Sequence, residues 1–210
     1  MAETIELAGY EESLSGDLTW ALIEGSLHFE GKSAVQKALR RIASRLSELD
    51  IPYAVVGAMA MFRHGYRRFT EDINLLVTRG GLREIHRQLK GRGYSTNFTG
   101  SKALRDAEFG VRIEFIVAGE FPGDGKPNPV PFPDPAEVAV DYEGIKYVGL
   151  VMLVEMKLAS GMTDRGRMKD LADVQEMIKV LRLPREYVEQ LNPYVRHKFL
   201  ELWVSPPPEK

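Results

Sequence analysis

The stretch from residue 51 to residue 78 constrains the fold most, because it changes from strand to helix and back to strand within a short span. It reads IPYAVVGAMAMFRHGYRRFTEDINLLVT. Residues 53–56 are β-branched, aromatic or small and predict a short strand. Gly57-Ala58 permits a sharp turn, and residues 59–64 predict a short helix that Gly65 ends. A second strand is predicted at residues 73–77.

Two oxygen-bearing side chains open this second strand. Side chains alternate between the faces of a strand, so Asp72 and Asn74 point to one face while Ile73 and Leu75 point to the other. Mg²⁺ prefers hard oxygen ligands and is usually held by one or two carboxylates plus substrate phosphates. The turn at Gly57 precedes a helix whose first amides are free to bind an anion. This pattern therefore indicates a site for a nucleotide and its magnesium ion.

The same residues form a longer motif. It runs as Gly57-Ala58, followed by Gly65-x-x-Arg68-x-Thr70-x-Asp72-x-Asn74. The pattern resembles the first motif of the nucleotidyltransferase (polymerase β-like) superfamily, close to its AbiEii-like branch. Two positions depart from that motif. Ala58 stands where Ser or Gly is common, which removes a hydroxyl contact to phosphate, and Asn74 stands where a second Asp is expected, which removes a metal-binding charge.

A second group of charged residues lies in the last third of the chain. The spacing of five residues resembles later motifs of AbiEii-like proteins, in which a Lys and a basic-Asp pair on successive helices face the nucleotide. The five are Lys157, Arg167, Lys169, Asp170 and Asp173. Asp170 and Asp173 share one face of their helix. The alternative is that Lys157 forms an ion pair with one of them and pins the two helices together. The two interpretations are compatible, since a pinned Lys can still present its charge to a phosphate.

A third strand is predicted at residues 111–117, where apolar residues alternate with Arg112, Glu114 and Ile116. In the resemblance, a strand beside the Asp-x-Asp strand supplies a third acidic residue, and Glu114 is the position that matches it. The alternative is a half-exposed Glu114 paired with Arg112. Residues 118–135 are rich in Pro and Gly and predict a long loop, with residues 124–126 at its tip best placed to reach a ligand.

The remaining patterns predict the fold class. A capping box at Ser33 begins an amphipathic helix through residue 49, residues 82–90 predict a helix, and residues 138–148 predict a hairpin. Helices are predicted at 150–162, 167–181 and 195–204, the last before a Pro-rich tail. We therefore expect an α+β protein with a mixed sheet flanked by helices. Its parts are an N-terminal extension (1–31), a nucleotidyltransferase-like core (32–149) and a small C-terminal helical lobe (150–210), in one compact unit.

Composition excludes several classes of function. The net charge of −2 gives no global attraction to nucleic acid, and the absence of Cys excludes a disulfide framework, a thiolate zinc site and a Cys nucleophile. The four His residues show no ligand spacing. There is no leader sequence and no apolar run long enough to span a membrane, so the sequence predicts a cytoplasmic protein without a membrane partner.

The resemblance implies an enzyme that binds a nucleoside triphosphate with Mg²⁺, or with Mn²⁺, and moves a nucleotidyl group to an acceptor such as a tRNA end or a protein. The alternative is a catalytically weakened nucleotide-binding or protein-binding module, including a component of a toxin–antitoxin or phage-defence system. The expected metal-binding and catalytic residues are Asp72, Asn74 and Glu114. The expected nucleotide-binding residues are Gly57, Ala58, Arg68, Thr70, Lys157, Arg167 and Asp170.

Overall fold

A seven-stranded mixed sheet lies at the centre of the computed structural model, which describes residues 9–96, 98 and 100–203. The parts of the predicted extension, lobe and tail at 1–8 and 204–210 lie outside the described residues. The strands are β1 (Tyr53–Val56), β2 (Asp72–Val77), β3 (Tyr94–Ser95), β4 (Leu104–Asp106), β5 (Arg112–Val117), β6 (Ala139–Tyr142) and β7 (Ile145–Val148). Their order across the sheet is β3-β4-β5-β2-β1-β7-β6. The pairs β2–β5 and β1–β7 are parallel, and the other pairs are antiparallel.

Helices cover both faces of this sheet. They are α1 (Tyr10–Gly16), α2 (Leu18–Phe29), α3 (Ala34–Glu48), α4 (Gly57–His64), α5 (Arg79–Leu89), α6 (Pro135–Val138), α7 (Leu150–Thr163), α8 (Met168–Val180) and α9 (Pro193–Leu202). Short 3₁₀ segments lie at Arg165–Arg167 and Arg185–Gln190. In the described part of the chain, no helix has the length and apolar character needed to cross a membrane. The predicted α+β class, a mixed sheet flanked by helices, is confirmed.

The alternation of side chains along the central strands creates two hydrophobic cores. Tyr53 and Val55 of β1 pack with α3 and α5, whereas Ala54 and Val56 pack with α4 and the helices α7 to α9. On β2, Ile73, Leu75 and Val77 belong to the first core. The opposite face at the start of β2 carries Asp72 and Asn74, so these polar side chains lie on the same side of the sheet as α4, α7 and α8.

The element boundaries differ from the prediction where special residues set them. Helix α4 begins at Gly57, two residues earlier than predicted, because Gly57 takes a φ of +63° that joins β1 directly to the helix. Helix α5 begins at Arg79 because the Thr78 side chain accepts a hydrogen bond from the amide of Gly81. Strands β3 and β4 were not predicted, since each is only two or three residues long.

The described part of the N-terminal extension packs against the first core. Tyr10 is 1 % exposed, and its hydroxyl donates to Glu24, whose carboxylate also accepts from the amide of Ala34 at the start of α3. His28 is fully buried among aromatic rings, and its Nε2 lies 3.1 Å from the carbonyl oxygen of Arg68. Burial lowers the pKa of His28, although its contact with that carbonyl opposes the shift. The extension therefore contacts the loop that carries Arg68.

A close approach of α8 to α7 depends on Gly161. A Cβ at this position would overlap the Leu171 Cγ atom and lie 2.7 Å from Leu171 Cδ2 and 3.2 Å from the Arg167 carbonyl oxygen. We predict that Gly161→Ala lowers the free energy of unfolding by a net ~1–2 kcal/mol, because overpacking outweighs the gain in helix propensity. The matched control is Gly25→Ala in α2, where a Cβ would meet no atom within 4 Å. It should leave stability equal or higher. Urea unfolding of both variants is the measurement, and a Gly161→Ala protein as stable as wild type would contradict this packing.

Candidate functional site

A cleft of about 520 Å³ opens between the sheet, the start of α4, helix α7 and the turn that leads into α8. The structure brings together around this cleft all of the expected metal-binding, catalytic and nucleotide-binding residues. They are Gly57, Ala58, Arg68, Thr70, Asp72, Asn74, Glu114, Lys157, Arg167 and Asp170.

The sheet places Asn74 at the centre of one wall. Asn74 of β2 lies opposite Val56 of β1 and opposite Glu114 of β5. The Gly57 turn lies directly against it, since a Cβ on Gly57 would be 3.4 Å from both Cβ and Nδ2 of Asn74. Glycine is favoured at this position by its positive φ, and a Cβ here would only just reach ordinary contact with the Asn74 side chain.

Two neighbours orient the carboxylate of Asp72. The hydroxyl of Thr70, which is buried, donates to Asp72 Oδ1 at 2.7 Å, and the Asn74 amide nitrogen donates to Asp72 Oδ2 at 3.2 Å. Because the Asn74 nitrogen is directed to Asp72, its amide oxygen is the atom that it can offer to a cation. Thr70, Asp72 and Asn74 thus form one hydrogen-bonded group.

Glu114 forms the surface ion pair that was the alternative interpretation of this residue. Its carboxylate lies 2.7 Å from Arg112 Nη2, and the two side chains are 38 % and 46 % exposed. Exposed ion pairs are worth little, roughly 0–1 kcal/mol. The pairing therefore leaves Glu114 able to exchange Arg112 for a ligand in the cleft that it lines.

This donor set suits a cation that is shared with phosphate. Among residues 9–96, 98 and 100–203, no group of three or more His, Cys, Asp or Glu is arranged to hold a metal ion. Asp72 and Glu114 supply two carboxylates, and Asn74 supplies a neutral amide between them. Since Mg²⁺ usually takes one or two carboxylates and completes its shell with phosphates and water, these residues fit an ion that a nucleotide brings.

The opposite wall contains a buried ion-pair cluster. Lys157 Nζ of α7 donates to Asp170 at 2.7 Å and to Asp173 at 2.8 Å, and its side chain is only 8 % exposed. Asp173 also accepts from Arg68 Nη2 at 3.2 Å, while Arg68 Nε lies 3.0 Å from its other oxygen. The helix-pinning ion pair, one of the two interpretations of Lys157, is therefore present and also includes Arg68.

The pKa of Asp170 is lowered within this cluster. Burial alone would raise it, but the ammonium and hydrogen bond of Lys157, a hydrogen bond from Ser160 and the charge of Arg167 together outweigh burial. Because the folded-state pKa lies below the unfolded value, Asp170 contributes stability above its unfolded pKa. That contribution is lost as pH falls through the folded-state pKa.

Cations available to an anion lie at the start of α8. Arg167 and Lys169 line the cleft and are exposed, and the guanidinium of Arg167 is 4.0 Å from Asp164. Arg63 and Arg67, which are close to this motif in the sequence, have other contacts, because Arg63 lies over the Tyr142 ring and Arg67 over the Phe62 ring. Neither of the two lines the cleft.

The long loop reaches the cleft through a different part than predicted. The tip at residues 124–126 is exposed and does not line the cleft, because the chain first contacts α7 at Pro122 and Gly123 and then turns outward. The residues of this loop that do line it are Glu120, Phe121, Pro122, Gly123 and Phe132. The two aromatic residues within this Pro- and Gly-rich segment were the available sequence signal.

Comparisons with known proteins assign no family. No family model matches the chain, and no curated protein matches it. Solved structures that match the chain include a candidate nucleotidyltransferase of H. pylori, with a TM-score of 0.43 and 16% identity, covering 79% of this chain and 89% of that one. They also include JHP933 from Helicobacter pylori, with a TM-score of 0.44 and 15% identity, covering 80% and 87%. At these values neither likeness defines a function for this chain.

The ion-pair cluster generates a stability prediction. Asp173→Asn should lower the free energy of unfolding by about 3–5 kcal/mol, because it removes a buried carboxylate that faces both Lys157 and Arg68. The matched control is Glu176→Gln on the same helix, whose partner Lys179 is solvent-exposed. It should cost less than about 1 kcal/mol. Urea unfolding at neutral pH measures both, and equal losses for the two variants would show that the cluster does not anchor the helices.

Proposed function

We propose that this cleft binds a nucleoside triphosphate together with Mg²⁺ and transfers its nucleotidyl group to an acceptor hydroxyl. The observation that carries the proposal is the position of Asn74, between the Gly57 turn and Glu114 and in the same cleft as Arg68 and Arg167. Residues far apart in the chain thus bring an anion-binding turn, cation ligands and positive charges to one cavity.

The phosphates would lie between α4 and α8. Helix α4 has eight residues, and no side chain caps its first amides, so these amides are available to an anion. Arg68 is held in place by Asp173 and adds a fixed positive charge. Arg167 and Lys169 add exposed charges that can move to the ligand. Because the Lys157 ammonium is engaged by two carboxylates, we assign Lys157 a positioning role through Arg68 and α8.

The carboxylates would carry the chemistry. When bound, Mg²⁺ offsets the charge on the reacting phosphate and lowers the pKa of a coordinated hydroxyl. Asp72, oriented by Thr70 and Asn74, would hold this ion. Glu114 would accept the proton of the acceptor hydroxyl as the acceptor oxygen bonds to the α-phosphorus and pyrophosphate leaves.

One observation favours a second candidate, a nucleotide-binding module with little or no transferase activity. The amide of Asn74 hydrogen-bonds to Asp72, so a neutral group stands where a second carboxylate would add charge for another cation. For the transferase, the proposed acceptors are a tRNA end and a protein. For the binding module, the proposed setting is a toxin–antitoxin or phage-defence system. An activity assay separates the two candidates.

If the cleft binds a nucleoside triphosphate with Mg²⁺, the heat of binding should depend on the metal. Isothermal titration calorimetry should detect a nucleoside triphosphate in the presence of Mg²⁺, and Asp72→Asn should weaken this binding roughly tenfold to a hundredfold, because a charge-assisted contact is lost. The control is Asp50→Asn, an exposed turn residue with a φ of 52° that Asn also tolerates. It should bind as wild type does. No heat for any of the four triphosphates would rule out both candidates.

If the cleft transfers a nucleotidyl group, Asn74→Asp should increase the rate of transfer. This change restores a negative charge on the same strand face, so a second cation should be held more tightly. We expect slow wild-type transfer, faster with Mn²⁺ than with Mg²⁺, and a higher rate for Asn74→Asp. Incorporation of labelled nucleotide into total tRNA and into the protein itself is the measurement. A fast wild-type enzyme that Asn74→Asp slows would contradict the role assigned to Asn74.

A further inference from the structure

Part of the cleft lining is apolar, and it adjoins the charged part. On β5, Ile116 follows Glu114 by two residues and therefore faces the same side of the sheet. On α7, Met156 lines the cleft directly beside Lys157. The apolar residues of the lining include Ile116, Phe121, Pro122, Phe132, Leu153 and Met156.

Phe121 differs from the other large apolar residues of this wall. Ile116, Phe132, Leu153 and Met156 belong to the core beneath the cleft or pack against it. Phe121 lines the cleft and is half-buried, yet within the described chain it belongs to neither of the two hydrophobic cores. Its ring therefore contributes to the wall of the cleft without serving to fill the interior.

The backbone on both sides of Phe121 is anchored. Phe132 donates its amide to the Glu120 carbonyl oxygen at 2.8 Å and accepts from the Gly119 amide at 2.8 Å. On the other side, the Pro122 carbonyl oxygen lies 3.3 Å from the Thr163 hydroxyl, whose shorter hydrogen bond, at 2.8 Å, goes to the Ala159 carbonyl oxygen within α7.

Gly123 then passes so close to α7 that a Cβ there would lie 2.7 Å from the Ser160 carbonyl oxygen. Its φ of +77° also favours glycine. The loop is therefore held against α7. These contacts fix the backbone from which the Phe121 side chain extends.

We propose that Phe121 is the platform on which the base of the bound nucleotide stacks. This inference rests on the proposed function, because it needs the triphosphate to lie in the charged part of the cleft. A nucleoside triphosphate has a polyanionic end and a flat apolar end, and the lining has the same two parts next to each other. Aromatic side chains bind bases through the π-face that every base has.

Stacking on Phe121 also predicts how strongly the site discriminates between the four bases. Glu120 precedes Phe121 in the lining, and its carboxylate pairs with both Arg79 and Lys102, so it would have to give up two ion pairs to contact a base. Recognition of the base therefore rests on stacking, which tolerates all four bases. We expect the four triphosphates to bind within about tenfold of one another, since stacking differs only modestly between bases.

The test is calorimetry in Mg²⁺ with two probes, each nucleoside triphosphate and inorganic tripolyphosphate. Phe121→Ala should weaken nucleoside triphosphate binding by roughly fivefold to a hundredfold, the range that stacking losses give. It should leave tripolyphosphate binding unchanged. Phe121→Trp keeps an aromatic face and should retain nucleotide affinity. The matched control is Phe98→Ala, an exposed ring that does not line the cleft, and it should affect neither probe.

The outcomes separate this inference from the proposed function. If wild type binds tripolyphosphate as tightly as nucleotide, or if Phe121→Ala weakens both probes equally, the platform is overturned and the phosphate site stands. A preference of more than about a hundredfold for one base would also overturn recognition by stacking alone. If neither probe binds wild type, the proposed function fails and the platform fails with it.

Discussion

The buried ion-pair cluster of Lys157, Asp170, Asp173 and Arg68 is the interaction on which the rest of the site depends. A Lys within the apolar helix α7 is costly to bury without a partner, and two carboxylates from α8 provide that partner. Asp173 also holds Arg68, which precedes Thr70 and Asp72 by only a few residues. The cluster therefore fixes α7, α8 and the loop before β2 relative to one another.

Close contacts at two glycines bring the strands that line the cleft and this ion-pair cluster together. Gly57 turns the chain against Asn74, and Gly161 lets α8 approach α7 so that Asp170 and Asp173 reach Lys157. One group of polar side chains is thus held by strand register and the other by helix packing. The cleft between them is charged at one part and apolar at the next, which is the division that a nucleotide requires.

The sequence predicted the elements whose signals are local. The strand at Tyr53–Val56, the helix capped by Ser33 and the hairpin from Ala139 to Val148 follow from residue type and spacing. The strands β3 and β4 could not be predicted, because they are too short to show an alternation. They are held by pairing alone, since β4 pairs with β5 and β3 pairs with β4.

The same distinction applies to the site. The spacing of the motifs identified residues that line one cleft in the folded protein. This was possible because each motif lies on elements that are adjacent in the chain and also in the structure. Spacing could not decide between ion pair and ligand contact for Lys157, because it shows only that Asp170 and Asp173 share a helix face. The position of Phe121 depends on Thr163 and Phe132, whose contacts with the loop are set by tertiary packing.

The proposed function requires that one cleft hold both the phosphates and the cation of a nucleotide. A crystal structure with a non-hydrolysable nucleoside triphosphate and Mg²⁺ would show this arrangement. Phosphate oxygens are expected at the first amides of α4 and near Arg68 and Arg167, with the cation between a phosphate and Asp72 and with Lys157 still paired to Asp173. A nucleotide bound outside this cleft, or phosphates contacted by a Lys157 that has left Asp173, would contradict this arrangement.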